Sequence, residues 1–202
     1  MQENIHDMHI SETHTQGFTL IEFIVIMIIF SIMASVTLFN FTGFRNEIVL
    51  SNLAHDIALT IRQTQVGGAS LFDQTNSTAV LQNYRGIQFT WDPASNQFSN
   101  TFTIFNDLNN NRIIDPGEIV DEITIQSDDR IEIFNTAGGA STPIISRNVG
   151  IFFRRPNTEA LIVVEGPQMI VESIEIRLTS RAESTRFKSI EVRRSGYIHV
   201  VE

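Results

Sequence analysis

The chain has 202 residues, 42% of them hydrophobic and 18% charged, which suits one domain with a buried core and an N-terminal appendage. It contains no cysteine, so disulfides, thiolate metal sites and cysteine nucleophiles are excluded. Its net charge of −9 argues against nucleic acid as a default partner, because phosphate contacts need a local excess of lysine and arginine.

The basic residues are unevenly distributed along the chain. The first 44 residues contain none of the 14, and nine lie from Arg147 onward. These nine are Arg147, Arg154, Arg155, Arg177, Arg181, Arg186, Lys188, Arg193 and Arg194. A C-terminal cluster of this kind raises the question of a nucleic-acid surface in an otherwise acidic protein.

The N-terminal part changes abruptly from polar to apolar. Residues 1–17 are polar and acidic, whereas nothing from Phe23 to Gly43 is charged, and Arg45 ends the run. As an α-helix the run measures roughly 30 Å, enough to cross the hydrocarbon core of a membrane. A cleavable secretory signal fits poorly, because the preceding segment lacks Lys and Arg, the run is too long, and no small-residue cleavage site follows it.

One carboxylate, that of Glu22, lies at the start of this apolar segment. A charged group in a membrane helix is costly and usually functional. Two interpretations remain open from the residues alone. Glu22 either marks the interfacial end of the helix or pairs with a positive group on a neighbouring subunit.

The segment Gly17-Phe18-Thr19-Leu20-Ile21-Glu22, followed by an apolar helix, resembles the prepilin cleavage and methylation motif of type IV pilins and type II secretion pseudopilins. The resemblance implies that a prepilin peptidase removes residues 1–17 by cutting between Gly17 and Phe18. It implies N-methylation of the new Phe18 amine. It also implies that Glu22 complements the positively charged N-terminus of an adjacent subunit during assembly.

Localisation and partners follow from the same resemblance. It implies a single-pass membrane protein before assembly and an extracytoplasmic, cell-surface filament afterwards. The implied partners are identical or homologous pilin subunits, the prepilin peptidase and the inner-membrane assembly machinery.

Two departures from the family pattern keep an alternative open, an uncleaved single-pass membrane protein. The leader is acidic where the family has a basic one, with Glu3, Asp7 and Glu12, and initiation at Met8 would shorten it. The apolar helix also lacks the Gly or Pro that disturbs it in many pilins; Ser31 and Phe39 occupy that region.

Residues 45–66 predict an amphipathic continuation of the helix, with residues 18–44 as its membrane half. Apolar residues recur at three- and four-residue spacing, which is typical of a helix packing on a sheet. They are Leu50, Leu53, Ala54, Ile57, Ala58 and Ile61. Gly67-Gly68 reads as the helix stop.

Residues 67–202 predict an extracytoplasmic β-rich domain. From about Ser77 the apolar residues alternate with polar ones, which indicates short antiparallel strands with one wet face. The predicted strands are 86–91, 101–105, 122–125, 130–134, 172–178, 189–193 and 197–200. The predicted fold class is therefore α+β, a long N-terminal helix packed on antiparallel sheets. The final pair, joined by Ser195-Gly196, resembles the group of pseudopilins and minor pilins that includes the type II secretion H component.

A calcium site is predicted in the segment from Asp107 to Glu118. Its twelve residues place oxygen side chains at positions 1, 3, 5, 9 and 12 and a backbone carbonyl at position 7, the ligand order of an EF-hand loop. The predicted ligands are Asp107, Asn109, Asn111, Ile113, Asp115 and Glu118. Position 6, normally Gly, is Arg112 and must accept a strained turn. The alternative is a hairpin rich in Asn and Asp, held by Asx turns.

No enzyme is predicted. No nucleophile motif surrounds any serine, and neither glycine pair has the spacing or lysine of a phosphate loop. The prediction is a structural filament subunit, pilus or pseudopilus. The rival is a DNA-binding minor pilin for uptake, but Glu172, Glu175, Glu183 and Glu191 alternate with the C-terminal arginines, which favours a salt-bridged face.

Overall fold

A computed structural model describes residues 17–70, 83–127, 129–154, 156–165, 169–181 and 183–201, without the side chains of 39–44 and 70. The leader, including the alternative start at Met8, lies outside these residues. The chain divides into two compact units, Met1–Phe44 and Arg45–Glu202.

The first element is one long helix, α1, which spans Leu20–Ser70. Its first part contains an apolar stretch of 19 residues, Leu20–Leu38, none of it buried, whose length and composition suffice to cross a membrane. Hydroxyl groups inside this stretch bond back to the helix: Ser35 Oγ donates to Ser31 O at 2.8 Å and Thr37 Oγ1 to Met33 O at 2.9 Å. Such bonds satisfy polar groups that a membrane could not solvate.

The β-structure of the second unit forms two antiparallel sheets, as the α+β prediction requires. The first sheet has the order β3-β2-β1-β6-β7-β8 and the second the order β11-β10-β9-β4-β5. The strands are β1 Tyr84–Asp92, β2 Gln97–Asp107, β3 Ile119–Thr124, β4 Arg130–Asn135, β5 Thr142–Pro143, β6 Val149–Arg154, β7 Asn157–Val164, β8 Met169–Val171, β9 Ser173–Thr179, β10 Phe187–Arg193 and β11 Ile198–Val201.

The core joins the helix to both sheets. The predicted stripe of α1 is buried at Leu50, Ala54, Ile57, Ala58 and Ile61, while Leu53 packs partly buried against it, so this prediction is confirmed. The same cluster contains inward-facing residues of both sheets. Each fully buried Ile or Phe contributes about 1.5–3 kcal/mol of transfer free energy, so this shared core positions the helix on the sheets.

Strands β5 to β8 are missing from the sequence prediction, and β6 and the C-terminal half of β7 are missed because both their faces are covered. All of Val149–Phe153 is buried, so β6 shows no alternation of apolar and polar residues. A second apolar cluster, formed by Phe105, Phe152 and Val163, covers the outer face of the sheet. A strand buried on two sides reads as a continuous apolar run, and periodicity alone does not separate it from a buried helix segment.

The predicted helix stop at Gly67-Gly68 is wrong, since α1 continues through both residues to Ser70. The glycines instead permit close approach of the helix to the first sheet. A Cβ on Gly67 would lie 2.8 Å from Nη1 of Arg85, and one on Gly68 would lie 2.9 Å from Cβ of Phe153. The pair is therefore a contact surface within the helix rather than its end.

The C-terminal hairpin between β10 and β11 is confirmed, and side chains of α1 hold its turn. Nε2 of Gln65 donates to Thr158 O at 2.8 Å and to Gly196 O at 3.0 Å. Arg62 donates to Ile198 O at 2.9 Å. Gly196 has a φ of 83°, and a Cβ there would overlap the Thr158 carbonyl oxygen.

Replacement of Gly196 with alanine should therefore destabilise the second unit by about 2 kcal/mol or more, from left-handed strain plus the overlap. Gly139→Ala is the matched control, because Gly139 has a φ of 81° with nothing within 4 Å of its Cβ position. The control should cost only the backbone strain, about 1 kcal/mol. Thermal unfolding of the detergent-solubilised chain measures both, and equal losses would show that the overlap is relieved without cost.

Candidate functional site

The first candidate site is the N-terminal motif, which the structure places immediately before α1. Gly17 has nothing within 4 Å of its Cβ position. Phe18 is 80% exposed. The helix begins two residues later, and its first turn includes a bond from Phe23 N to Thr19 O at 3.1 Å. The bond between Gly17 and Phe18 thus lies in exposed, non-helical chain, where a peptidase can reach it.

Glu22 lies in the first turn of the helix, where its carboxylate and the Thr19 hydroxyl form a reciprocal cap. Glu22 N donates to Thr19 Oγ1 at 3.3 Å, and Thr19 N approaches Glu22 Oε2 at 3.5 Å. This arrangement is a capping box, which satisfies two amides that lack partners at a helix start. A carboxylate there also interacts favourably with the positive end of the helix dipole.

Thr19 has a capping role that was not predicted above, although the sequence carries the signal for it. Thr19-Leu20-Ile21-Glu22 has the T-x-x-E spacing of a capping box directly before an apolar run. The bonds are long and the Glu22 side chain is exposed, so its carboxylate keeps free acceptor positions. It can cap its own helix and still accept a bond from an amine outside the chain.

The second candidate site is the loop between β2 and β3, closed at both ends by buried carboxylates. Asp107 is the last residue of β2 and Glu118 precedes β3; they are 0% and 5% exposed. Asp107 accepts bonds from the amides of Asn111 at 3.1 Å and Arg112 at 2.9 Å. Glu118 accepts from the amides of Leu108 at 2.9 Å and Asp115 at 3.1 Å.

Three more of the predicted ligands lie together in the middle of the loop, where two asparagines contact one carboxylate oxygen of Asp115. The side-chain amides of Asn109 and Asn111 both donate to Oδ2 of Asp115, each at 2.7 Å. Oδ1 of Asn111 accepts from the amide of Ile113 at 2.7 Å, and the Ile113 side chain is exposed. Over the described residues, no group of three or more His, Asp or Glu side chains is placed to hold a metal ion.

The strained turn expected at position 6 is present. Arg112 has a φ of 63°, the left-handed conformation that glycine adopts without cost. The neighbouring Ile114 packs against the outer apolar cluster of Phe105 and Phe152, which ties the loop to the first sheet. The loop is thus a fixed feature of the fold, anchored at its ends and its centre.

Four of the C-terminal arginines are paired with the acidic residues that alternate with them. The paired groups are Arg177 with Glu175 at 3.0 Å, Arg193 with Glu191 at 2.7 Å, Arg194 with Glu172 at 2.8 Å, and Arg186 with Glu183. The hydrogen bond and charge of Glu191 raise the pKa of Arg193. The guanidinium of Arg177 also lies between the rings of Phe134 and Phe187, at 4.4 and 4.5 Å. These contacts do not leave a row of free cations that could bind a phosphate backbone.

Residues 13–38 match the family model of the prokaryotic N-terminal methylation motif. This match supports a protein of the type IV pilin or pseudopilin type. It points to a structural protein that is processed by a peptidase. No curated protein and no solved structure matches the chain significantly.

Proposed function

We propose that the chain is a structural subunit, a pilin or pseudopilin, of a type IV pilus or a type II secretion-like filament. The observation that carries the proposal is the Gly17-to-Glu22 motif, which opens a helix with an unburied, predominantly apolar stretch of 19 residues. In water such a surface would aggregate, so it needs lipid or other copies of the same helix around it. Membrane anchoring meets that need before assembly, and the filament interior meets it afterwards.

Processing is the first step of this function. A prepilin peptidase cuts after Gly17, and the amine of Phe18 becomes the methylated N-terminus of the mature subunit. The exposed, non-helical placement of this bond supports the step. Removing the acidic leader leaves the positive amine as the first group of the chain.

The mature subunit is therefore expected to begin at N-methylated Phe18. Intact-mass analysis of material from the membrane and from filaments measures this directly. Gly17→Leu should block processing, because it places a bulky side chain at a position that has no Cβ. Gln16→Leu, at the neighbouring position, is the control. Recovery of filament material that still begins at Met1 or Met8 would favour the uncleaved membrane protein instead.

Assembly depends on pairing between Glu22 of one subunit and the Phe18 amine of the next. A carboxylate left alone in an apolar environment costs several kcal/mol, and an ammonium group does the same. Pairing removes both penalties at once and selects the axial position at which the two groups meet. Membrane-embedded subunits are thus extracted into an extracytoplasmic filament only in the matching register.

Glu22→Gln separates this pairing from helix capping. Glutamine retains the acceptor of the capping box but carries no charge, so the helix should form and insert while filament yield falls at least about tenfold. Thr19→Ala is the matched control, because it removes the capping hydroxyl and keeps the charge; its filaments should be far less affected. Filament yield by shearing and immunoblotting measures both. Normal filaments from Glu22→Gln alone would show that the carboxylate serves only as an interfacial cap.

We further propose that the loop from Asp107 to Glu118 binds calcium in the extracytoplasmic space. Its three carboxylates form no ion pair with any described residue, although two of them are buried. Buried charges are normally paired or bound to a metal ion. Asn109 and Asn111 would turn their amide oxygens toward the ion, giving up their bonds to Asp115.

Calcium should raise the melting temperature of the protein relative to chelator, because an ion bound only to the folded state stabilises it by mass action. With a Kd of order 10⁻⁴ to 10⁻³ M and calcium about ten- to a hundredfold above it, the gain is roughly 1–3 kcal/mol. Asp115→Asn should abolish the difference, because it keeps the shape and removes one carboxylate, whereas Asp121→Asn on exposed β3 should not. Identical melting in millimolar calcium and in chelator would leave the loop as an Asx-turn hairpin.

A further inference from the structure

The loop between β9 and β10, described at residues 180–181 and 183–186, lies beside the point where the chain enters the second unit. Nη1 of Arg186 is 4.0 Å from Oε2 of Glu47. A recess of 230 Å³ is lined on one side by Asn46, Glu47 and Leu50 of α1 and on the other by Arg186, Phe187 and Lys188. The loop and the first turn of the helix in this unit thus form one surface.

Chain connectivity limits the distance between Glu47 and the end of the apolar run. Glu47 follows Phe44, the last residue of the uncharged run, by three residues. Residues 44–47 belong to α1, and three helical residues rise about 4.5 Å, less than the roughly 5–7 Å depth of one headgroup layer. Groups that contact Glu47 therefore meet lipid headgroups as long as the preceding helix remains in the membrane.

The side chains of this surface suit an anionic partner. Arg130, Arg181 and Lys188 have no ion-pair partner within the described ranges, in contrast to the paired arginines elsewhere on the sheet. Arg130 and Arg181 line a polar recess of 210 Å³ together with the hydroxyl residues Thr179, Ser180 and Ser184. Asp129 lies in the same recess and offsets one of the two charges. Guanidinium and hydroxyl donors in a concave site match the oxygens of a phosphodiester.

An exposed aromatic residue completes the surface. Phe187 is 49% exposed, and its ring stacks on Arg177 at 4.5 Å, which fixes its position beside Arg186 and Lys188. Aromatic side chains flanked by basic residues are typical of segments that lie at the membrane interface. Neighbouring acidic groups, Glu47 and Glu183, are already engaged by Arg186.

We propose that the β9–β10 loop, with Arg130 and Lys188, binds the phosphate-bearing headgroups of anionic lipids while the subunit is anchored in the membrane. The inference rests on the membrane anchoring and is independent of filament formation. Headgroup binding holds the second unit close to the membrane surface before assembly, and it is given up when the subunit leaves the lipid. A membrane rich in anionic lipid therefore favours the unassembled state.

The test uses the full chain in nanodiscs of phosphatidylcholine alone or with about 30 mol% phosphatidylglycerol. Because the chain has no cysteine, Thr185→Cys carries a single fluorescent label on the exposed part of the loop, outside the proposed phosphate recess. Ser141→Cys is the control, since Ser141 shares a recess with Arg193 and Arg194 at the other end of β10. Quenching of the fluorescent label by a headgroup-labelled lipid measures contact between the loop and the headgroups. Co-purification of the chain with the nanodisc confirms that it has inserted.

The loop label should be quenched more strongly in the anionic nanodiscs than in the neutral ones, and the Ser141→Cys label should respond equally to both. Arg181→Gln with Lys188→Gln should weaken the anionic preference by about tenfold or more, since each basic residue near the surface contributes roughly a fivefold factor. Arg147→Gln with Arg154→Gln, an equal charge change outside the surface, should leave it unaltered. Raising the salt concentration should reduce the preference as well.

Equal quenching of the loop label in both lipids would overturn the proposal. So would an anionic preference that survives Arg181→Gln with Lys188→Gln. If those two substitutions spare lipid contact but reduce filament yield, the surface serves an acidic neighbour in the filament and not the membrane. Failure to insert in any nanodisc would contradict membrane anchoring itself, which is a separate outcome.

Discussion

One helix has to satisfy two different environments along its length, and the rest of the molecule follows from that requirement. Over Leu20–Leu38 every face of the helix is apolar and uncovered, whereas beyond Arg45 only one stripe is buried, against the two sheets. No described residue covers the first pattern, whereas the second has its partner in the same unit. Anchoring and stability thus belong to separate parts of one element, so the second unit has its own core independently of the apolar stretch.

The second unit is rigid because successive layers pack on one another. The helix lies on an inner core, the first sheet separates that core from the outer cluster of Phe105 and Phe152, and the loop residue Ile114 packs on that cluster. The middle strands of the first sheet are consequently dry on both faces, while the second sheet keeps an outer face of arginine–glutamate pairs. Charged pairs of this kind keep an outer face soluble.

Much of this could be predicted from the sequence, because the features concerned are local. The stripe from Leu50 to Ile61 repeats with the period of a helix, β9 alternates with the period of a strand, and the Gly17-to-Glu22 motif is contiguous.

The features that the sequence did not predict depend on non-local contacts. Strands β6 and β7 lose their alternation because something packs on their second face, and nothing in the segment itself reveals that cover. Gly67-Gly68 reads as a helix end unless one knows that Arg85 and Phe153 approach it from the first sheet. In the acidic loop, the spacing of oxygen-bearing residues is readable, but whether they face one another or an ion depends on side-chain rotation.

The bonds from Gln65 and Arg62 to the C-terminal hairpin have a structural consequence. Gln65 joins α1 to both the Thr158 and Gly196 carbonyls, and Arg62 joins it to Ile198, so the helix is fastened to β7, the turn and β11 at one place. The last strand of the chain, far from α1 in sequence, is therefore fastened to the helix that begins the unit. Separating the hairpin from α1 would leave the Gly196 and Ile198 carbonyls without these donors, so the two ends of the second unit stabilise each other.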